Sequence, residues 1–139
     1  MNYTVDENEK VKVTRAKGYN AVFRKADGYH ARWGATPDED PGMAPCPEIL
    51  DMEIATACDG IPGIDQKVAS PCVFCYKSNK RQGEDMSFET FQCIFQVLPK
   101  TITQVAFGIG SLRPLDHDMW KIFDYTRANG VVPNITING

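Results

Sequence analysis

The stretch from Cys58 to Tyr76 contains three cysteines, at positions 58, 72 and 75. Two residues separate Cys72 from Cys75, a spacing that allows both sulfurs to turn toward one point. Cys58 lies at the start of the same loop, directly after a strand-like run, and can supply a third thiolate. Three converging thiolates suit a metal ion or an iron–sulfur cluster, and the missing fourth ligand leaves one coordination position for chemistry.

The composition is that of an ordinary globular protein and excludes several other classes. The 139 residues are 42% hydrophobic and 24% charged, which supports one domain or a domain with an appendage. The net charge of −3 provides no basic field for nucleic acid. No apolar run approaches the roughly 20 residues of a membrane span. The polar N-terminus argues against a signal peptide, so we expect a cytoplasmic, reducing location, where a C-x2-C pair favours metal or redox chemistry over a disulfide.

The first third of the chain favours antiparallel strands after a frayed tail over residues 1–10. Asp27-Gly28 is a strong turn dipeptide and predicts a hairpin between strands over 19–24 and 29–33. We expect an apolar face, with Ala21 and Phe23 on the first strand and Tyr29, Ala31 and Trp33 on the second, that packs on the rest of the domain. The opposite face carries Arg24, His30 and Arg32. That face is either solvated surface or a contact surface for an anionic substrate.

From residue 46 onward the pattern alternates between strands and helices. Such alternation indicates parallel strands, and ligands bind at the carboxyl ends of parallel strands. Ser87 is expected to cap the first helix and Gly130 to end the second. The predicted elements are a strand over 49–57, a helix over 87–98, a strand over 103–107, a helix that begins at Asp116 or Asp118, and a strand over 131–137.

A proline-rich, acidic linker over residues 36–47 separates the two parts and ends near Cys46. We therefore expect a tail, hairpin and linker over residues 1–45 and a second unit over residues 46–139. Cys46 is either an incidental thiol or a fourth ligand of the cysteine site.

The segment Cys72-Val73-Phe74-Cys75-Tyr76 matches the second half of the C-x3-C-x-aromatic-C motif of radical S-adenosylmethionine enzymes. On this motif, residues 46–139 resemble the N-terminal portion of such an enzyme, of a kind encoded by phages and bacteria. In that family the second strand ends in a glycine-rich turn, and the third often ends in Thr-Asn-Gly. Here the corresponding positions hold Gly108-Ile109-Gly110-Ser111 and Ile137-Asn138-Gly139.

The sequence departs from the family pattern at two places. Thirteen residues separate Cys58 from Cys72 instead of the usual three, as if residues 59–71 contained an insertion. The glycine-rich turn also lacks the usual acidic residue, so that Ser111 or backbone carbonyls would have to hold the methionine amino group.

The resemblance implies a fold and a set of site residues. The fold would be α/β, a partial (β/α) barrel made of its first three parallel strands, preceded by a small antiparallel hairpin and truncated before the later strands. Cys58, Cys72 and Cys75 would be the metal ligands. The cofactor-binding positions would be Phe74, Tyr76, Gly108, Ile109, Gly110, Ser111 and Asn138.

The resemblance also implies an activity. A [4Fe–4S] cluster would bind S-adenosylmethionine and cleave it reductively to a 5′-deoxyadenosyl radical, which abstracts hydrogen from a substrate that the sequence does not identify. A flavodoxin- or ferredoxin-like protein would donate the electron. The extra hairpin favours a peptide or protein substrate. The alternative is a structural zinc module that uses Cys46, Cys58, Cys72 and Cys75.

Overall fold

In a computed structural model of the chain, the structure describes residues 2–56, 61–62, 69–70, 83–110 and 117–137. These residues form nine strands and two helices. In chain order they are β1 (Tyr3–Glu7), β2 (Val11–Ala16), β3 (Tyr19–Arg24), β4 (His30–Trp33), β5 (Ile49–Met52), β6 (Ile61–Pro62), β7 (Ala69–Ser70), α1 (Phe88–Gln96), β8 (Gln104–Gly110), α2 (His117–Ala128) and β9 (Val132–Ile137).

The strands β1 to β4 form one antiparallel sheet in sequence order. The prediction of a frayed tail over residues 1–10 was wrong, because Tyr3–Glu7 pairs along its whole length with β2. The side-chain oxygen of Asn8 accepts hydrogen bonds from the backbone nitrogens of Lys10 (2.8 Å) and Val11 (2.9 Å). This local turn reverses the chain and makes the pairing possible.

The predicted hairpin at Asp27-Gly28 is confirmed. Gly28 has a φ of 74°, a left-handed conformation that favours glycine. The Asp27 carboxylate accepts a hydrogen bond from the Tyr29 nitrogen at 3.1 Å, and the Arg24 nitrogen donates to the Tyr29 carbonyl at 2.8 Å. The turn therefore fixes the register of β3 against β4.

That register places the charged side chains of β4 on the buried face of the sheet. Phe23 pairs with His30 and Ala21 with Arg32, and paired residues share a face. The expected division, with His30 and Arg32 opposite the buried residues Ala21 and Phe23, was therefore wrong. The buried carboxylate of Glu48 lies beside both side chains, with His30 Nε2 at 3.7 Å from one oxygen and Arg32, whose side chain is 41% exposed, at 2.9 Å from the other.

The second sheet is parallel and has the order β5-β8-β9. Both helices pack on one of its faces. The buried cluster joins Phe91 of α1, Ile122 of α2, and Val105 and Phe107 of β8. The ring of Tyr125 on α2 lies edge-on to Phe88 of α1, with 5.6 Å between ring centroids. This apolar layer fixes the parallel sheet and its two connecting helices as one unit.

The helix ends follow the expected chemistry with one exception. Ser87 caps α1, since its hydroxyl accepts a hydrogen bond from the Thr90 nitrogen at 3.2 Å. Gly130 has a φ of 72° just after α2, as expected for a glycine that ends a helix. Asp118, however, lies within the first turn of α2, and its carboxylate accepts a hydrogen bond from the Phe88 nitrogen at 3.2 Å. It therefore helps to cap α1 and ties the two helices together.

The antiparallel sheet contacts the parallel sheet where the parallel strands begin. The Lys12 ammonium donates to the carbonyl of Ile102, two residues before β8, at 2.6 Å. The Tyr19 hydroxyl donates to Glu48, the residue before β5, at 2.5 Å. The Arg127 guanidinium, near the end of α2, donates to the Ala26 carbonyl at 3.0 Å. We call this contact region the seam.

The predicted fold class was wrong. The described residues form a small mixed α/β structure, with a four-stranded antiparallel sheet and a separate three-stranded parallel sheet that carries two helices. They do not form a partial barrel preceded by a hairpin. Barrel closure requires more strands at a fixed tilt and stagger, whereas this parallel sheet has three strands in sequence order. Neither described helix is long and apolar enough to span a membrane.

Candidate functional site

The carboxyl ends of β5, β8 and β9 lie at one edge of the parallel sheet, because the three strands run in the same direction. The segment with the three cysteines follows β5. The predicted glycine turn belongs to β8, and the predicted Asn138 follows β9 directly. The sheet thus brings to one edge the three parts of the chain from which the sequence predicts a site.

Most predicted site residues lie outside the described part of the chain. These residues are Cys58, Cys72, Phe74, Cys75, Tyr76, Ser111 and Asn138. Among the residues that the structure does describe, no group of three or more histidine, cysteine or acidic side chains is arranged to hold a metal ion. The structural evidence on the predicted ligand set therefore comes from the residues that flank it.

The predicted glycine turn is part of a strand. Gly108, Ile109 and Gly110 continue β8 rather than ending it at Phe107. Phe107 pairs with Ile135 and Gly110 with Ile137, so three steps along β8 oppose two along β9. The register between the two strands therefore shifts near the carboxyl edge of the sheet.

The base of the cysteine segment is held by a short antiparallel bridge. Ala55 pairs with Asp85, and the Met86 nitrogen donates to the Ile54 carbonyl at 2.8 Å. The Thr56 nitrogen donates to the Glu84 carbonyl at 3.0 Å. This bridge lies beyond β5, which ends at Met52, and all three cysteines lie between Thr56 and Glu84 in the sequence.

Within that segment, β6 and β7 form an antiparallel pair that bears on the long gap between Cys58 and Cys72. Ile61 pairs with Ser70, and Pro62 with Ala69. The pairing places Ile61, on the Cys58 side of the gap, beside Ser70, on its Cys72 side.

The sheet face opposite the helices carries small and polar side chains. Asp51, Ala106 and Asn134 are partners across the three strands and share this face by the alternation of strand side chains. Asp51 and Asn134 are exposed and Ala106 is half-buried. A ligand on this face would meet a carboxylate and an amide on either side of a small residue, an arrangement that suits a polar molecule.

Cys46 lies at the other end of the parallel sheet. It precedes β5, is half-buried, and is a free thiol. A hydrogen bond with this thiol raises the pKa of Tyr3, on β1 of the antiparallel sheet. The length of β5 thus separates Cys46 from the start of the cysteine segment at Thr56. The remaining cysteine, Cys93, is an exposed free thiol on α1, as expected from its position off the apolar stripe.

Sequence reasoning missed a buried and well-connected polar group, the Glu48 carboxylate. Its side chain is only 7% exposed. Tyr19 donates to one oxygen at 2.5 Å, and Arg32 Nε lies 2.9 Å from the other. The available signal was an acidic residue directly before an apolar strand, together with the two cationic residues His30 and Arg32 on alternate positions of β4.

The Glu48 cluster perturbs the titration of its neighbours. Burial, together with the hydrogen bond to Glu48, raises the pKa of Tyr19 far above its usual range. Burial lowers the pKa of His30, although the Glu48 carboxylate opposes this effect. His30 Nε2 lies 3.7 Å from Glu48 Oε1 and has no hydrogen-bond partner. The cluster lies in the seam, away from the carboxyl edge, so we assign it to stability rather than to chemistry.

Comparisons with protein families, with curated proteins and with solved structures find no match to this chain. The functional assignment therefore depends on the sequence motif and on the geometry described above.

Proposed function

We propose that this chain binds a [4Fe–4S] cluster through Cys58, Cys72 and Cys75 and is a radical S-adenosylmethionine enzyme or a part of one. The observation that carries the proposal is the pairing of β6 with β7. Because Ile61 lies beside Ser70, the two sides of the thirteen-residue gap between Cys58 and Cys72 meet at this pair. The pairing therefore supports an insertion into the family motif within residues 59–71.

The placement of the segment supports the same proposal. The Ala55–Asp85 bridge holds both ends of the segment beside the carboxyl ends of the parallel strands. Three cysteine thiolates, two of them in a C-x2-C spacing, are a soft donor set, which suits iron–sulfur clusters. Three protein ligands would leave the cluster able to accept S-adenosylmethionine as a further ligand.

Cys58, Cys72 and Cys75 would hold the cluster, which would supply the chemistry of one-electron reductive cleavage of S-adenosylmethionine. The chain's own residues would hold and orient the reactants. Phe74, between two ligands, would shield the cluster from water, and Tyr76 would lie near the adenine. Backbone groups at Gly108 to Gly110 would receive the methionine moiety at the end of β8, with Ser111 and Asn138 beside them.

We propose that a flavodoxin- or ferredoxin-like protein donates the electron. We also propose a cytoplasmic location, because the cysteine thiolates must stay reduced. The expected preference for a peptide or protein substrate has no support in the geometry. It depended on the N-terminal hairpin as a recognition surface, whereas the antiparallel sheet packs at the amino ends of the parallel strands. The better candidate for contact with a polar substrate is the sheet face opposite the helices, which carries Asp51 and Asn134. We call it the open face.

The zinc alternative requires Cys46 to join the other three cysteines. Cys46 instead contacts Tyr3 in the antiparallel sheet, at the amino end of β5. Along β5 alone, the three steps from Ile49 to Met52 span about 10 Å, which is several times a zinc–sulfur bond length. This placement favours the three-thiolate cluster over a four-cysteine zinc site.

The test is anaerobic reconstitution of the full chain with iron and sulfide, followed by dithionite and S-adenosylmethionine. We expect 5′-deoxyadenosine, detected by mass spectrometry, from the wild type and from the Cys46→Ser and Cys93→Ser controls. Cys72→Ser and Cys75→Ser should give none. A protein that takes up zinc and not iron, and that loses the zinc in Cys46→Ser, would establish the alternative.

A further inference from the structure

The hydroxyl of Thr56 makes two hydrogen bonds at the base of the cysteine segment. It donates to the Glu84 carbonyl at 3.0 Å and accepts from the Glu84 nitrogen at 2.8 Å. The backbone nitrogen of Thr56 also donates to the same carbonyl at 3.0 Å. One side chain therefore satisfies both backbone groups of the residue at which the segment returns.

This pattern differs from an ordinary antiparallel ladder. In a ladder, the Glu84 nitrogen would donate to the backbone carbonyl of Thr56. Here the side-chain hydroxyl takes the place of that carbonyl, so that the backbone ladder ends at Thr56. A side-chain hydroxyl that replaces a ladder acceptor lets the chain change direction without leaving a backbone N–H unsatisfied.

We propose that Thr56 is a positioning residue for the cysteine segment, holding together the point before Cys58 and the point after Cys75 at which the two ends of the segment meet. This inference depends on the proposed cluster only where iron removal is measured, and it does not depend on the cluster where amide hydrogen exchange is measured. Thr56 and Glu84 are both exposed, so their hydrogen bonds add little to global stability. Their effect is local, because they hold together two ends of the chain that are far apart in sequence.

The test compares Thr56→Val, which keeps the shape and removes the hydroxyl, with Thr56→Ser, which keeps the hydroxyl. Thr4→Val, at an exposed threonine on β1, is the matched control. The first readout is hydrogen exchange at the Glu84 and Met86 amides of the cluster-free chain. The second is the rate at which a chelator removes iron from the reconstituted protein.

We expect Thr56→Val to accelerate both processes roughly 2- to 10-fold, the effect of losing hydrogen bonds of ordinary net strength. Thr56→Ser and Thr4→Val should match the wild type, and the midpoint of global unfolding should not change.

Wild-type rates in Thr56→Val would overturn the inference, as would a fall in the global unfolding midpoint that accounts for the faster exchange. If the wild type binds no iron, the proposed cluster fails, while amide exchange still decides the role of Thr56.

Discussion

The two ends of the parallel sheet are built differently. At the amino end, the seam joins the sheet to β1–β4 through buried charged groups, with Lys12 and Glu48 both less than a tenth exposed. At the carboxyl end, the described chain is exposed around Thr56 and Glu84, and the cysteine segment departs there. Among the described residues, buried polar contacts are therefore concentrated at the amino end of the parallel sheet, and the carboxyl end is more exposed.

The largest expected effect comes from the apolar layer that supports both ends. Phe91 is fully buried between the helices and β8, so Phe91→Ala should destabilise the fold by about 3–5 kcal/mol through lost burial and a cavity. Val97→Ala, at an 80% exposed position, is the control and should change stability by less than about 0.5 kcal/mol. Urea denaturation measures both.

Urea denaturation followed by tryptophan fluorescence tests whether the seam makes the two sheets one cooperative unit. The chain has two tryptophans, Trp33 on β4 and Trp120 on α2. Trp33→Phe and Trp120→Phe each leave one fluorescent reporter, in one or the other region. We expect the two unfolding curves to coincide. Separate transitions would show that the antiparallel sheet folds independently of the parallel sheet.

The next effect distinguishes the two ends through two acidic residues close in sequence. Glu48→Gln removes the charge that pairs with Arg32 in the seam and should cost about 2–3 kcal/mol. Asp51→Asn alters an exposed position on the open face, and its effect on stability should be within about 0.5 kcal/mol. Equal losses in the two variants, measured by urea denaturation, would contradict the contrast between a buried seam and an open face.

The next prediction concerns the pH dependence of stability and the buried side chain of His30. Burial lowers its folded-state pKa below the unfolded value of about 6.5. As the pH falls below about 6.5, the unfolded chain gains a proton that the folded chain does not, so the free energy of unfolding decreases until the pH passes the folded-state pKa. His30→Gln should have a shallower dependence than the wild type between pH 7 and pH 5. If the free energy of unfolding of His30→Gln depends on pH as steeply as that of the wild type, His30 does not titrate in the seam.

The smallest effect separates backbone strain from contact at the seam. Gly18 and Gly130 have similar φ angles, 68° and 72°, so alanine at either should cost about 1 kcal/mol. A Cβ at Gly18 meets no atom within 4 Å, whereas one at Gly130 would lie 2.6 Å from Lys25 Cε. Lys25 pairs with Glu7 at 2.7 Å, so displacing its ammonium should weaken this ion pair within the antiparallel part of the chain.

Gly130→Ala should therefore lose roughly 1 kcal/mol more than Gly18→Ala, as expected for one partly buried ion pair. Equal losses in thermal or urea unfolding would mean that the Lys25–Glu7 pair does not contribute to stability.

The sequence predicted those features that depend on neighbouring residues. The helical spacing of apolar residues located α1, and Ser87 caps it as expected. The turn at Asp27-Gly28 and the stop at Gly130 follow from backbone conformations that glycine adopts easily. Each of these signals lies within a few residues of the feature that it predicts, so no knowledge of distant contacts was needed.

The failures concern pairing between distant segments. Residues 3–7 form a strand because β2 is available as a partner, which the polar sequence of β1 alone does not indicate. The prediction placed Tyr29, Ala31 and Trp33 on the inward face, because these apolar residues alternate along the chain. The register with β3 instead places His30 and Arg32 on the same face as the buried residues of β3. Glu48 was missed for the same reason, since its partners are brought to it by that register.

The central claim is that Cys58, Cys72 and Cys75 hold one iron–sulfur cluster at the carboxyl end of the sheet, while Cys46 belongs to the other end. The most direct measurement is the iron and acid-labile sulfide content of the reconstituted chain and of its Cys46→Ser and Cys58→Ser variants. We predict about four irons and about four sulfides per chain for the wild type and for Cys46→Ser, and a large loss of both for Cys58→Ser. Full cluster content in Cys58→Ser, or its loss in Cys46→Ser, would contradict the assignment.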